Sequence, residues 1–196
     1  DFSAGNLSAT TGAALEYFDG AGGATEQQTV FGTTTSLGLP DIGGQPAHVM
    51  CFPAATNKLM GYVMRAGMAA NGGGSFVNQY TLIFDLLYPP ASSGSYRALI
   101  QINDPINNNN DAELFINPSG GIGISSQYQG KVLTNTWHRL AFAFDLTTST
   151  LRKYIDGVFV NQQTLGVVKA RALNGSSDFL QDDLGLSRER LEDAKL

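Results

Sequence analysis

The densest group of potential metal ligands in this sequence is a run of asparagine and aspartate at residues 103–111. Side-chain oxygens at this density suit Ca²⁺, which binds about six to eight oxygen ligands and tolerates irregular geometry. We therefore predict a calcium site formed by Asp104, Asn110 and Asp111 together with backbone carbonyl groups. The spacing differs from that of an EF-hand loop, and an Asn/Asp-rich turn between two strands can satisfy its own backbone without a metal, so both interpretations remain open.

A second group of polar side chains has the chemistry needed to recognise a sugar. A sugar ring offers C–H faces for stacking and paired hydroxyl groups for hydrogen bonds. Arg97 and Gln101, which alternation places on one side of a strand, are candidate ligand-binding residues together with Arg139 and the loop residue Tyr128. Alternatively, the two arginines simply pair with aspartates of neighbouring strands.

Side chains suited to acid–base catalysis are scattered along the chain. The strand carboxylates Asp85, Glu113 and Asp145 are isolated from one another, whereas glycoside hydrolysis needs two carboxyl groups facing one bond. His48 is isolated and His138 adjoins a core strand, so we expect both histidines to be structural.

Composition favours one soluble globular domain and excludes two classes of partner. The 196 residues are 42% hydrophobic and 15% charged, which suits a single domain over residues 1–196. The net charge of -5, with only 12 Lys and Arg, argues against nucleic-acid binding. No apolar run approaches the roughly 18–20 residues of a membrane span, so membrane insertion is not expected.

The segments that must position these side chains are β-strands, of which the clearest form a hairpin at residues 137–157. Leu140, Phe142, Phe144 and Leu146 alternate onto one side and should face the core. The opposite side carries Arg139, Ala141, Ala143 and Asp145. Its small alanines suit a shallow, wet surface open to a flat ligand, although they could also be plain solvent-facing residues.

The other strand-like segments are separated by turn residues and recur about every 8–12 residues, which favours a sandwich or barrel over βαβ units. We predict strands at 14–18, 33–39, 48–52, 61–65, 80–87, 96–103, 113–117 and 121–126. Residues 172–183 have room for one more strand, and the charged segment from Ser187 predicts a short C-terminal helix.

Three segments resemble the laminin G-like branch of the concanavalin A-like lectin and glucanase superfamily. They are Trp-His-Arg-Leu-Ala-Phe-Ala-Phe-Asp at 137–145, Leu-Arg-Lys-Tyr-Ile-Asp-Gly at 151–157 and Gln-Gln-Thr-Leu at 162–165. Runs at 80–85, 96–101 and 112–116 match the order of that family's preceding strands, so the resemblance covers roughly residues 45–170.

The resemblance implies an all-β, two-sheet antiparallel jelly-roll sandwich. It also implies a non-catalytic recognition module, binding carbohydrate or protein, within a larger secreted or periplasmic protein such as a polysaccharide-degrading or phosphate-releasing enzyme. Calcium is common among the relatives. We expect glycan binding in particular.

Two other functions stay open. One is a small hydrolase or lyase of the same superfamily, but the Glu-x-Asp-x-x-Glu strand of its glucanases is absent. In the jelly-roll alginate lyases a Gln-Ile-His run supplies the base, whereas this chain has Gln101-Ile102-Asn103. We therefore expect no enzymatic activity. The other is a structural spacer or protein-interaction domain.

Overall fold

Short strands make up nearly all of the regular secondary structure in the computed structural model, which describes residues 2–20, 24–53, 60–65, 67–100 and 114–165 in full and the backbone of 173–174 and 180–182. The first seven strands are β1 (Glu16–Asp19), β2 (Val30–Thr33), β3 (His48–Cys51), β4 (Met60–Met64), β5 (Phe76–Val77), β6 (Gln79–Leu86) and β7 (Arg97–Ile100). A four-residue helix, α1 (Thr25–Gln28), follows β1, and a 3₁₀ turn (Pro90–Ser92) precedes β7.

The second half of the chain adds eight more strands. They are β8 (Leu114–Ile116), β9 (Ile122–Ile124), β10 (Gln127–Gln129), β11 (His138–Asp145), β12 (Thr150–Ile155), β13 (Val158–Thr164), β14 (Leu173–Asn174) and β15 (Leu180–Asp182). Each pairing between these strands is antiparallel, which confirms the predicted all-β class.

Two four-stranded sheets form the two layers that matter for the site. The front sheet has the order β13-β12-β11-β6, and the back sheet has the order β10-β9-β8-β7. Their inward side chains join one buried cluster, to which the front sheet contributes Leu82, Leu140, Phe142 and Leu151 and the back sheet contributes Leu114, Ile116, Ile122 and Ile124. The chain is therefore a β-sandwich. A third sheet, β1-β4-β15, places β15 next to β7.

The predicted hairpin is present as β11 and β12, and its faces are confirmed. Along β11 the even-numbered residues His138 to Phe144 are buried, while Arg139 is exposed and the remaining odd-numbered residues are half-buried. The turn after β12 uses Asp156 and Gly157 at φ of 52° and 78°. This left-handed pair is the conformation that an Asp-Gly dipeptide favours between antiparallel strands.

The Asp156 carboxylate fixes the start of β11. Its Oδ1 accepts a hydrogen bond from the Arg139 amide at 2.8 Å, and its Oδ2 lies 2.7 Å from Nδ1 of His138. Nε2 of His138 accepts the Leu133 amide at 3.0 Å, so the neutral ring carries its proton on Nδ1 and donates it to Asp156. His138 is buried and serves this network.

We expect Asp156→Ala to lower the free energy of unfolding by about 1–2 kcal/mol, because two donors lose their acceptor and alanine is strained at positive φ. Asp156→Asn keeps one side-chain oxygen and tolerates the left-handed conformation, so its loss should be clearly smaller. Urea unfolding of the two variants measures the difference. Equal losses would show that the retained oxygen and the tolerated turn conformation contribute nothing, so that the whole effect comes from removing the carboxylate.

Local hydrogen bonding overrides the sequence pattern at residues 33–39, where the predicted strand is wrong. β2 ends at Thr33, and a turn follows. Ser36 accepts the Thr33 amide through its hydroxyl at 2.9 Å, and Thr33 accepts the Ser36 amide at 3.1 Å. Hydroxyl groups that bind nearby backbone in this way compete with strand pairing.

Two further elements differ from the sequence prediction. The segment predicted as one strand at 121–126 turns at Ser125 and Ser126, both with positive φ, and returns as β10. Serine is an unusual residue for such a turn, so the sequence gives no signal for it. Residues 172–183 hold two strands, β14 and β15, where we expected one. The predicted helix from Ser187 lies outside the described residues.

Candidate functional site

The outward side of the front sheet, which we call the outer face, collects alternate residues from four strands. The strand register arranges them in rows that run across the sheet. The rows are Asp85–Arg139, then Ile83–Ala141–Tyr154–Phe159, then Thr81–Ala143–Arg152–Gln162, and finally Gln79–Asp145–Thr150–Thr164. The hairpin of β11 and β12 therefore places small, aromatic and charged side chains on one surface.

Ala141 and Ala143 are the smallest side chains along the middle of the outer face, and we call the low strip that they form between the larger side chains of β6 and β12 the alanine trough. Ala141 lies between Ile83 of β6 and Tyr154 of β12, and Ala143 occupies the next position along β11 on the same side. Because strands lie about 4.8 Å apart, side chains on β6 and β12 stand about 10 Å from each other across this floor. Methyl groups leave that space open.

An aromatic pair bounds the trough on its β12–β13 side. The rings of Tyr154 and Phe159 meet edge to face, with centroids 5.6 Å apart, and Phe159 is 55% exposed. Ile83, on the opposite wall, is 62% exposed. Exposed apolar side chains thus flank the two alanines on both sides.

A β-bulge gives Phe159 its place in this wall. The register shifts between Lys153, which pairs with Asn161, and Tyr154, which pairs with Phe159, so Val160 is an extra residue in β13. Val160 packs against the core, and Phe159 is exposed opposite Tyr154. Sequence analysis missed both aromatic residues as site residues. Alternation along β12 was the available signal for Tyr154, and none marked Phe159.

Arg139 and Asp85 close one end of the trough as a bidentate ion pair. Nε and Nη2 of Arg139 donate to the two carboxylate oxygens at 2.6 and 2.5 Å, and the two residues are direct cross-strand partners. The hydrogen bond to Asp85 raises the pKa of Arg139 above its ordinary value. Both side chains remain accessible, at 64% and 40% exposed. The alternative interpretation, a cross-strand pair with an aspartate, is thus confirmed for Arg139.

At the other end, Asp145 is occupied by its own turn. Its Oδ1 accepts the Thr147 hydroxyl at 2.5 Å and the Thr147 amide at 3.0 Å. These hydrogen bonds hold the pKa of Asp145 below its ordinary value. The carboxylate therefore stays ionised and directed to the turn.

Arg97 does not face the solvent as expected; it is 2% exposed and lies inside the fold. Its guanidinium stands 4.0 Å above the Tyr88 ring, donates through Nη2 to the Asn117 carbonyl at 3.0 Å, and donates through Nη1 to the Ser92 carbonyl. Burial lowers the pKa of Arg97. Alternation from Tyr96 to Leu99 is kept, but the wrong side was assigned to the core: Leu99 faces the core on the side of Arg97, whereas Tyr96 and Ala98 pack with Phe115 on the outward side.

Tyr128 lies on the outward side of the back sheet, where it packs with Phe115 and meets the Tyr96 ring edge to face at 5.7 Å. Its neighbour Gln129 reaches the opposite way, to Lys153 of the front sheet. Because alternate residues of a strand point to opposite sides, Tyr128 faces away from the front sheet. Tyr128 and Arg139 therefore lie on opposite surfaces of the sandwich and cannot share one ligand.

The remaining predicted site residues, Gln101, Asp104, Asn110 and Asp111, lie outside the described residues, so the calcium site stays a prediction. Within the described ranges no three His, Cys, Asp or Glu side chains come close enough together to hold a metal ion. The part of the chain that is described contains no helix of the length and apolarity needed to cross a membrane.

No protein-family model matches the chain, and no curated protein matches it. Among solved structures, the chain is similar to domain 4 of AbnA, a GH43 extracellular arabinanase from Geobacillus stearothermophilus, in complex with arabinotriose. The identity is 16%, the TM-score is 0.31, and the match covers 97% of this chain and 78% of that one. A likeness at this level does not establish a shared fold, and the laminin G-like resemblance stays a prediction.

Proposed function

We propose that this domain is a non-catalytic carbohydrate-binding module whose ligand lies in the alanine trough. The observation that carries the proposal is the floor of Ala141 and Ala143 between the exposed Ile83 and the pair of Tyr154 and Phe159. A sugar ring needs an apolar surface for its C–H face and polar groups at its rim. Both are present, since the Arg139–Asp85 pair stands at the end of the trough.

The carboxylates of the outer face support binding without turnover. Asp85 lies opposite Arg139, six residues along β11 from Asp145, which corresponds to about 20 Å in a strand. Glycosidase carboxyl pairs stand about 5–9.5 Å apart, so these two cannot act on one glycosidic bond. Each is also engaged, Asp85 by Arg139 and Asp145 by Thr147.

The laminin G-like resemblance supports a further part of the proposal, that the module belongs to a larger exported protein. In that setting the trough would hold the parent protein on a polysaccharide. The calcium site predicted within residues 103–111 is a separate part of the proposal. Removal of the metal with EDTA tests it.

A glycan array probed with the protein, with and without EDTA, tests the function. We expect binding to a set of oligosaccharides with no release of shorter products. Loss of binding in EDTA would support the metal loop, whereas product release from any array polysaccharide would contradict the assignment as a non-catalytic module.

Phe159→Ala is expected to weaken binding of the best array ligand by about tenfold, because the ring contributes roughly 1–1.5 kcal/mol of stacking. Isothermal titration measures the change. Tyr96→Ala is the matched control, since Tyr96 is a 40% exposed aromatic side chain that packs with Phe115 and Tyr128 on the opposite surface. An equal loss in both variants would contradict the placement of the ligand on the outer face.

A further inference from the structure

On the outer face, Arg152 has no carboxylate partner among the residues that the structure describes. Arg152 is exposed, and among the described residues no acidic side chain lies within 4 Å of it. Arg139 differs, because its guanidinium forms an ion pair with Asp85. An unneutralised cation beside a ligand surface favours a ligand that brings its own negative charge.

Gln162 holds Arg152 in place and leaves its charge available. The single hydrogen bond that Arg152 makes with the described residues runs from Nε to Oε1 of Gln162 at 3.1 Å, across the pairing of β12 with β13. The two terminal nitrogens are not used by that bond. Their planar edge matches the paired oxygens of a carboxylate or sulfate group.

The position of Arg152 ties it to the trough. It is the cross-strand partner of Ala143 on the floor, so the two Cβ atoms lie about 5 Å apart. It also lies one row from Tyr154, or about 7 Å along β12. Asp145 stands diagonally across from Arg152, but its carboxylate accepts the hydrogen bonds of Thr147.

We propose that the alanine trough binds an acidic glycan and that Arg152 binds its oxyanion. This inference rests on the proposed function, since it names the class of carbohydrate that the same surface recognises. The sugar ring lies against Tyr154 and Phe159, and its carboxylate or sulfate group reaches the free edge of the Arg152 guanidinium.

The test compares acidic oligosaccharides with neutral forms of the same backbone. Uronate oligosaccharides are titrated beside their carboxyl-reduced forms, and sulfated oligosaccharides beside their desulfated forms, at physiological salt. We expect one acidic series to bind about tenfold more tightly than its neutral form. Arg152→Gln should remove that preference while leaving the affinity for the neutral form within about twofold.

Arg65→Gln is the matched control, because it removes the same charge at an exposed ion pair with Glu16, away from the outer face. It should keep the full preference. The net charge of -5 repels anions in general, so a preference removed by Arg152→Gln alone identifies a local contact.

Three results would contradict different parts of the argument. Equal binding of acidic and neutral forms, still weakened by Phe159→Ala, would overturn the inference and leave the proposed function intact. A preference that survives in Arg152→Gln would overturn the role of Arg152. No binding of any oligosaccharide would overturn the proposed function itself.

Discussion

The free energy of unfolding is expected to rise by up to about 3 kcal/mol, relative to Lys153→Met, as the pH increases from 8 to 10.5. Lys153 is fully buried between the two sheets. Its Nζ donates to the carbonyl of Gln127 at 2.8 Å and to the side-chain oxygens of Gln129 and Gln163. These acceptors are all uncharged, so desolvation lowers the pKa of Lys153 from 10.5 to about 8.

The increase of stability with pH follows from the number of protons bound in the folded and unfolded states. Between the folded pKa and the unfolded pKa of Lys153, the unfolded chain holds a proton that the folded protein has released, so stability increases with pH. Below pH 8 both states are charged, and this contribution is constant. The difference in unfolding free energy between the wild-type protein and Lys153→Met isolates the contribution of Lys153, because the other titrating groups contribute equally to both proteins.

Urea unfolding of both proteins at intervals from pH 7 to 10.5 measures this difference. A difference that stays flat would show that the buried ammonium keeps an ordinary pKa. Methionine is unbranched, one heavy atom shorter than lysine and does not titrate, so the pH dependence of the difference reports the charge of Lys153.

Filling the alanine trough is expected to weaken carbohydrate binding by at least about a hundredfold, or roughly 2.7 kcal/mol. Replacing Ala141 and Ala143 together with isoleucine puts branched side chains on the floor between Ile83 and Tyr154. The fold should be kept, because both positions are half-buried on the outward side and isoleucine suits a strand. Titration with the best array ligand measures the loss.

The control for this variant replaces the same two alanines with serine, which leaves the floor low and should change affinity little. Thermal unfolding of both variants confirms that the sheet is intact. Binding by the isoleucine variant at wild-type strength would place the ligand elsewhere on the protein.

The sequence predicts the β11–β12 hairpin well because the alternation there is long and uninterrupted. Four large apolar residues at every second position, from Leu140 to Leu146, can face only one side of a strand, and the Asp-Gly turn after β12 marks where that strand ends. The same alternation correctly places the intervening residues of β11, including Arg139, on the outward side.

Contacts between distant segments decided what the sequence could not predict. Arg97 is buried because the Tyr88 ring and the carbonyls of Ser92 and Asn117 surround it, and no local pattern records those neighbours. Tyr128 and Arg139 belong to different sheets, so their separation depends on the strand order. Phe159 and Gln162 share one face although they are three residues apart, which regular alternation does not produce.

Under the proposed function, the extra residue in β13 also bears on the shape of polysaccharide that the outer face would bind. A bulge bends its strand and increases the local right-handed twist, and Val160 places that bend between the rows of Phe159 and Arg152. A ligand that spans both rows must therefore turn as it passes along the sheet. Under that function, a single dissolved chain would fit such a path better than the flat surface of a packed, insoluble fibre.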